Sequence, residues 1–234
     1  MNIHILCFNI HKGVGWGTRK STLNLIHQQI SILHPDIIFL QEVRGLQFEF
    51  LASGLWPHFS YGKNAVSPKG HHGNALLSKF PIHSSENIDL TMRRYERRGL
   101  LHSVITLPEQ NKNIHLLCVH LGLLKKDRRK QLDKIVSFIQ QKIPEKEPLV
   151  FAGDFNDWSS YATKPLMKKA GLQEAFLTTH GRYARTYPAW APILKLDRIY
   201  FRGFQIIQAR RLIKKSWRFL SDHIALEAIL AQTE

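Results

Sequence analysis

Val150 to Ser160 reads VFAGDFNDWSS: the end of an apolar run, a glycine, then Asp154, Asn156 and Asp157 in quick succession. A short apolar run closed by turn-forming residues reads as a buried strand. The polar residues after it allow two readings. They form an Asx-turn after Gly153 and nothing more, or they stand at a rigid strand end where chemistry is mounted.

The rest of the chain supplies partners for either reading. Strand-like runs occur at Ile3 to Phe8, Ile37 to Gln41, Ala75 to Ser78, Leu100 to Leu107, Ile114 to Leu121, Leu149 to Ala152, Arg198 to Phe201 and His223 to Ile229. Leu23, Ile26, Ile30 and Leu33 recur at helical spacing over Thr22 to Leu33, with Pro35 as a stop. A second helix is expected over Lys126 to Ile143, ended by Pro144, and a third over Tyr161 to Ala170, closed by Gly171. This order suits a two-sheet α/β core with helices outside better than a strictly alternating parallel sheet.

Apolar residues make up 44% of the 234 residues, and no polar or Pro/Gly-rich linker separates two cores, so one domain over 1–234 is expected. Lys and Arg number 33 against 18 Asp and Glu, a formal charge of +15, which favours polyanionic partners. Nucleic acid fits that balance, as does peripheral contact with an anionic membrane, because both present repeated phosphates. A secretory signal and a bilayer-spanning run are both lacking in the sequence, which reads as cytoplasmic. Cys7 and Cys118, each inside a strand-like run, suggest buried reduced thiols.

Isolated polar residues fall at the ends of these apolar runs: Asn9, Glu42, His120, Asp154, Asn156, Asp197, Asp222 and His223. Singly, each has a plain structural explanation: a turn residue, a solvent-facing strand end, a satisfied core histidine. Together they are the groups needed to cleave a phosphate ester, with oxygen ligands for a hard cation such as Mg²⁺, a carboxylate to handle water, and imidazoles to meet developing charge. Two lone cysteines argue against a structural zinc site.

The ordered segments FNIHKG (8–13), LQEV (40–43), GNALLSKFPI (73–82), VHLG (119–122), GDFND (153–157), LDRIYF (196–201) and SDHIAL (221–226) resemble the endonuclease/exonuclease/phosphatase superfamily. The resemblance covers nearly the whole chain and looks most like a compact bacterial branch. It implies a DNase-I-like four-layer α/β sandwich, two mixed sheets face to face with helices outside. It implies Mg²⁺, or Mn²⁺, with Glu42 as the principal metal carboxylate and Asn9 and Asp222 in support. Asp154 would orient or deprotonate water and Asn156 would hold that water or a phosphoryl oxygen. His223, oriented by Asp197, would stabilise the transition state, and His120 would stabilise the phosphate or protonate the leaving group.

Asn74, Arg98 and Arg185 are candidate substrate contacts, and His71, His72 and Arg97 candidate cleft residues, although the arginines could equally form surface ion pairs. Trp56, Trp158 and Trp190 are candidates for stacking on a base or anchoring at a lipid surface, with core burial the commoner fate of tryptophan. A monomer acting on nucleic acid is expected, with a phospholipid or inositol-phosphate substrate as the alternative. A non-catalytic polyanion binder is the weakest reading, since it has no need of four clustered carboxylates.

Overall fold

The computed structural model describes residues 1–17, 20–54, 56–67, 70–107 and 112–232. From the amino end, β1 (Asn2–Asn9) passes through a 3-10 turn (His11–Gly13) into α1 (Leu23–Leu33) and β2 (Ile37–Arg44). Next come α2 (Gln47–Ala52), β3 (His58–Ser67), β4 (Gly70–Ser78), β5 (Ile82–Asp89), β6 (Gly99–Leu107) and β7 (Lys112–His120). The second half holds α3 (Lys125–Lys142), β8 (Leu149–Asp154), α4 (Thr163–Ala170), the two-residue β9 (Gln173–Glu174) and α5 (Ala175–His180). It closes with β10 (Asp197–Arg202), β11 (Phe204–Arg211), α6 (Lys215–Arg218) and β12 (Leu226–Gln232).

The strands form two six-stranded sheets, ordered β11-β12-β1-β2-β4-β3 and β5-β6-β7-β8-β10-β9. Each is mixed in the same way, with one parallel pair at its centre, β1 with β2 and β7 with β8, and antiparallel pairs elsewhere.

Period-two alternation decides which side chains meet. Ile3, Ile5 and Cys7 of β1 and Ile37 and Phe39 of β2 pack against Ile114, Leu116 and Cys118 of β7 and Val150 and Ala152 of β8, which makes the core between the sheets. The alternate residues face outward under helices. Leu6, Phe8, Ile38 and Leu40 lie against Ile26 and Ile30 of α1 and Trp217 of α6. Leu117, Val119 and Phe151 lie against Ile135, Ile139 and Leu166 of α3 and α4. Each buried large apolar side chain is worth about 2 kcal/mol, so a one-residue slip, which would turn a whole inward set outward, is strongly disfavoured. The result is the four-layer α/β sandwich.

Four strands and three short helices had no signal in the sequence, and one strand starts later than expected. β12 begins at Leu226 rather than at His223. Ile224 donates its N–H to the Thr186 carbonyl at 2.8 Å, and Leu212 donates to the Ala225 carbonyl at 2.9 Å, so this stretch is held by loops and not by the ladder. Cys7 and Cys118 are both free and buried, as expected. Gln41 lies between them, its amide 3.3 Å from the Cys118 sulfur.

Candidate active site

Inward positions of the central strands turn polar at one end of the sandwich. Asn9 continues the row Ile3, Ile5, Cys7; His120 continues Ile114, Leu116, Cys118; Asp154 continues Val150, Ala152. Asp197 opens the inward row that Ile199 and Phe201 extend along β10. Pairing then sets them side by side, because Asp154 is opposite His120 on β7 and opposite Asp197 on β10. Phe155 goes to the other face, buried among the residues beneath α3 and α4.

The backbone at this end is unusual. Gly153 has φ +153°, and a Cβ there would lie 2.0 Å from the Val119 carbonyl oxygen, so only glycine brings Asp154 this close to β7. Glu42 (φ 57°) sits in the irregularity between Leu40 and Val43, and His11 (φ 46°), Lys12 (φ 57°) and Asn156 (φ 48°) also have left-handed backbones. Left-handed non-glycine residues cost on the order of 1 kcal/mol or more each and gather where side-chain placement matters.

Asp154 is the hub. Asn9 Nδ2 donates to its Oδ2 at 3.0 Å, and the Asn156 N–H donates to its Oδ1 at 2.9 Å. His120 Nε2 and His223 Nε2 lie 3.5 and 3.7 Å from the same Oδ2. His223 Nδ1 donates to Asp197 Oδ2 at 2.9 Å, the expected Asp–His pair. Thr186 braces that pair, its hydroxyl oxygen accepting the N–H groups of Leu196 and Asp197 at 3.3 Å each. The Tyr187 ring packs beside His223, centroids 5.1 Å apart. Ser221 Oγ donates to the Asn9 carbonyl at 2.7 Å and accepts the His223 N–H at 3.2 Å, which ties β1 to the SDH segment.

Burial and neighbouring charge set the protonation states. Burial lifts the Asp154 carboxyl, and although His223 opposes and Asp197 reinforces this, the net result is a value of about 6. Burial alone would lower His223, but Asp197 and Asp154 outweigh it and push the imidazole to about 10, which makes it a resident cation. Burial, then the charge of Arg98, hold His120 well below the ordinary histidine range, hence neutral. Glu42 is pushed up by burial but held down to about 2 by the positive charges around it. With His120 neutral, the lasting cation there is Lys12, whose Nζ is 3.3 Å from Glu42 Oε2.

Two groupings could hold a divalent cation. Atoms of Asp154, Asp197 and His223 lie within 4.8 Å of one another. Most of those atoms are already joined by the hydrogen bonds above, which leaves Asp197 Oδ1 buried with no partner. Glu42, Asp222 and Asn9, which gather around His11, supply an ionised carboxylate, a second carboxylate and an amide oxygen. Asp222 Oδ1 lies 3.8 Å from His11 Nδ1, and Asn9 Oδ1 accepts the His11 N–H at 3.1 Å. That oxygen-rich donor set fits a hard cation.

Other expected residues are placed differently. Asn74 is fully buried, and its amide donates to the carbonyls of Gly99 and Cys118 at 3.0 and 3.2 Å. It therefore ties the sheets together, while its Oδ1 is buried with no hydrogen-bond partner. Arg98 stands near the cluster, its Nη2 3.1 Å from Glu96 Oε1 and its Nε buried without a hydrogen-bond partner. It also lines, with Arg94 and Arg97, a neighbouring cavity of about 440 Å³. Arg185 is exposed and lines a different cavity, away from the catalytic row.

Asp157 only shapes the turn, accepting from Ser159 Oγ and the Ala162 N–H at 2.7 Å each. His71 Nδ1 is 3.0 Å from the Tyr61 hydroxyl, whereas His72 feels Lys12, Glu42 and Arg98 and so faces the site. Trp56 is buried, its N–H donated to the Pro35 carbonyl, which removes it as a surface aromatic. Trp158 is exposed under the Arg128 guanidinium, and Trp190 is exposed and stacked on Trp16, centroids 6.5 Å apart. Sequence reading missed Lys12 and Thr186, although Lys12 lies inside FNIHKG, three residues past Asn9.

Comparison with known proteins bears on the family and the fold. The uncharacterized protein YbhP of Escherichia coli (strain K12) is 41% identical, the alignment covering 96% of this chain and 94% of YbhP. Among solved structures, the human Nocturnin catalytic domain with bound sulfate has a TM-score of 0.84 at 24% identity, covering 99% of this chain and 94% of that one. A functionally unknown protein from Enterococcus faecalis V583 has a TM-score of 0.82 at 21% identity, covering 99% and 100%. Humanized TDP2 of D. rerio has a TM-score of 0.78 at 20% identity, covering 99% of each chain. The model of the Endonuclease/Exonuclease/phosphatase family matches residues 6–223, from the middle of β1 to the paired histidine, and the chain belongs to that family, whose members are in general hydrolases of phosphate esters.

Proposed function

We propose that this protein is a divalent-metal-dependent phosphodiesterase that cleaves nucleic acid. The observation that carries the chemistry is the Asp197–His223–Asp154 row: a buried carboxylate poised near neutrality, 3.7 Å from an imidazolium that a second carboxylate orients. Asp154, when ionised, takes the proton of the attacking water, and Asn9 and the Asn156 N–H fix its two oxygens for that task. Asn156 Nδ2 spends one donor on the Leu121 carbonyl at 2.9 Å, which leaves its other N–H and its amide oxygen for water or a phosphoryl oxygen.

His223 meets the negative charge that grows on the phosphoryl oxygens, and Asp197 keeps its ring in place while that happens. His120, neutral, offers one N–H as a hydrogen-bond donor to the phosphate or the leaving oxygen. Glu42, with Asp222 and Asn9, would hold Mg²⁺ or Mn²⁺. When bound, that ion supplies Lewis-acid stabilisation of the phosphoryl group.

The charge of +15 favours a polyanion as the substrate, and the exposed Trp16–Trp190 stack beside this end of the sandwich offers bases a π-surface. TDP2 of D. rerio, a fold neighbour, is described in complex with a single-stranded DNA product, which is in keeping with this reading. A phospholipid substrate is the second reading, favoured by the exposed Leu123, Leu124 and Trp158 on the same rim. A panel of DNA, RNA, 5′-tyrosyl ends, sphingomyelin and inositol phosphates with Mg²⁺ or Mn²⁺ separates them. Cleavage of an oligonucleotide is expected; turnover of sphingomyelin with every nucleic acid left intact would replace this reading with the second.

A further inference from the structure

A cavity of about 870 Å³ lies between α5, the segment that follows it, the Pro192–Lys195 stretch and β11. Its walls carry Arg182, Arg185, Lys195 and Arg211, none of which takes part in an ion pair among the described residues. Arg210, at the same cavity, is different: its guanidinium is neutralised by Glu227. Arg211 Nη1 donates to the Arg185 carbonyl at 3.1 Å, which holds β11 and the Arg185 segment together. Burial and the charges of Arg182 and Arg185 push the Arg211 guanidinium below its ordinary range, the mark of like charges crowded without a counter-charge. An anion in the cavity relieves that repulsion, and guanidinium forks match phosphate oxygens in pairs.

The same chain segment serves both this cavity and the catalytic row. Arg185 faces the cavity, and the next residue, Thr186, braces Asp197. Tyr187 packs on His223, Trp190 stacks on Trp16, and Lys195 returns to the cavity, where it lies 5.5 Å from the Tyr183 ring. The stretch that lines the cavity with cations thus also contacts the catalytic imidazolium and carries one ring of the exposed aromatic pair. Repeated phosphates joined by stackable bases match that set of groups.

We propose that the cavity is a second phosphate subsite, which takes a backbone phosphate of a nucleic-acid strand away from the scissile bond, with Arg182, Arg185 and Arg211 as its donors. The assignment rests on the nuclease reading and extends it to how a longer strand is held. Arg182 and Arg211 are tested together as Arg182→Ala/Arg211→Gln, the glutamine keeping a donor for the Arg185 carbonyl, with thermal melting to show that the fold survives. Binding of a fluorescent single-stranded DNA 12-mer is measured by anisotropy in an Asp154→Asn background, and turnover of the 12-mer and of a dinucleotide with Asp154 intact.

Affinity for the 12-mer is expected to fall about 10- to 50-fold, and the slope of log K against log salt to shrink by about 0.7, one single-strand phosphate contact. Dinucleotide turnover stays within twofold. Arg182→Lys/Arg211→Lys, which keeps charge but not the fork, recovers most of the salt slope and only part of the affinity. Unchanged 12-mer binding, or equal losses on 12-mer and dinucleotide, overturns the subsite. So does inorganic triphosphate that binds the parent and not the variant while 12-mer affinity stays the same, since the cavity then serves a free phosphate. The two readings fail separately: a parent that binds the 12-mer through these arginines but leaves it uncut keeps the subsite and loses the nuclease, and a 12-mer cut equally well by the variant does the reverse.

Discussion

Asp154 and His223 divide the work of the site because their surroundings push them in opposite directions. Asp154 titrates near 6 because burial disfavours its charge, so its base form is lost as pH falls below that value. His223 titrates near 10 because Asp197 and Asp154 favour its charge, so its cationic form is lost as pH rises through that value. The pH profile of kcat/KM is thus expected to be a bell with limbs near 6 and near 10. Replacing Asp197 by Asn removes the larger of the two stabilising charges. The upper limb should move toward neutrality and kcat should fall about 10²- to 10³-fold. An upper limb that stays in place would show that Asp197 does not act through His223.

At this scale the sequence named the row itself, since Asn9, Glu42, His120, Asp154, Asp197, Asp222 and His223 all sit at ends of legible runs. It did not show Lys12 beside Glu42, because that contact depends on left-handed backbone at His11, Lys12 and Glu42, which residue type alone does not reveal. The role of Asn74 is hidden for a similar reason. A polar residue in a motif looks the same whether its amide meets a ligand or, as here, two backbone carbonyls.

Among the elements, legibility followed position in the sheet. The eight strands readable from apolar runs are β1, β2, β4, β6, β7, β8, β10 and β12, which are the interior strands of the two sheets. The four that went unread, β3, β5, β9 and β11, are the edges. An edge strand has a neighbour on one side only and carries polar residues, as IHSSENID of β5 does with five successive exposed positions, so it lacks the signal that burial writes. The unread helices α2, α5 and α6 have six residues or fewer, too short for a helical period to repeat.

Two substitutions probe how elements are joined. Asp157→Ala removes acceptors from Ser159 and the Ala162 N–H ahead of α4, so stability should drop by about 1 kcal/mol while kcat stays within twofold. A large loss of kcat with stability unchanged would return Asp157 to the chemistry. Glu227 on β12, buried and paired with His4 and Arg210, is held down to about 2, so its contribution is full above the ordinary value of 4.5 and lost as pH falls from there toward 2. Glu227→Gln should cost about 2 kcal/mol at pH 7 in a denaturant melt, discounted for the half-exposed arginine, and that difference should vanish near pH 2.

For the molecule as a whole, the two parallel strand pairs explain why the candidate site lies where it does. The carboxyl ends of β1 and β2 deliver Asn9 and Glu42 from one sheet, and those of β7 and β8 deliver His120 and Asp154 from the other. Facing sheets bring the four together at the end of the core. The charge of +15 acts over the same dimensions, and cleavage of an oligonucleotide should weaken at least about tenfold in kcat/KM between 50 and 200 mM salt. Salt-independent cleavage would disconnect the charge from the substrate.

The central claim is that Asp154 performs the chemistry of a metal-dependent phosphodiesterase. Turnover of a chromogenic phosphodiester with Mg²⁺, by the parent and by Asp154→Asn shown by melting to be folded, tests it most directly. The expected result is activity in the parent that chelation abolishes, and a loss of about 10³-fold or more in the variant. Metal-dependent turnover by Asp154→Asn at the parent's rate would contradict it.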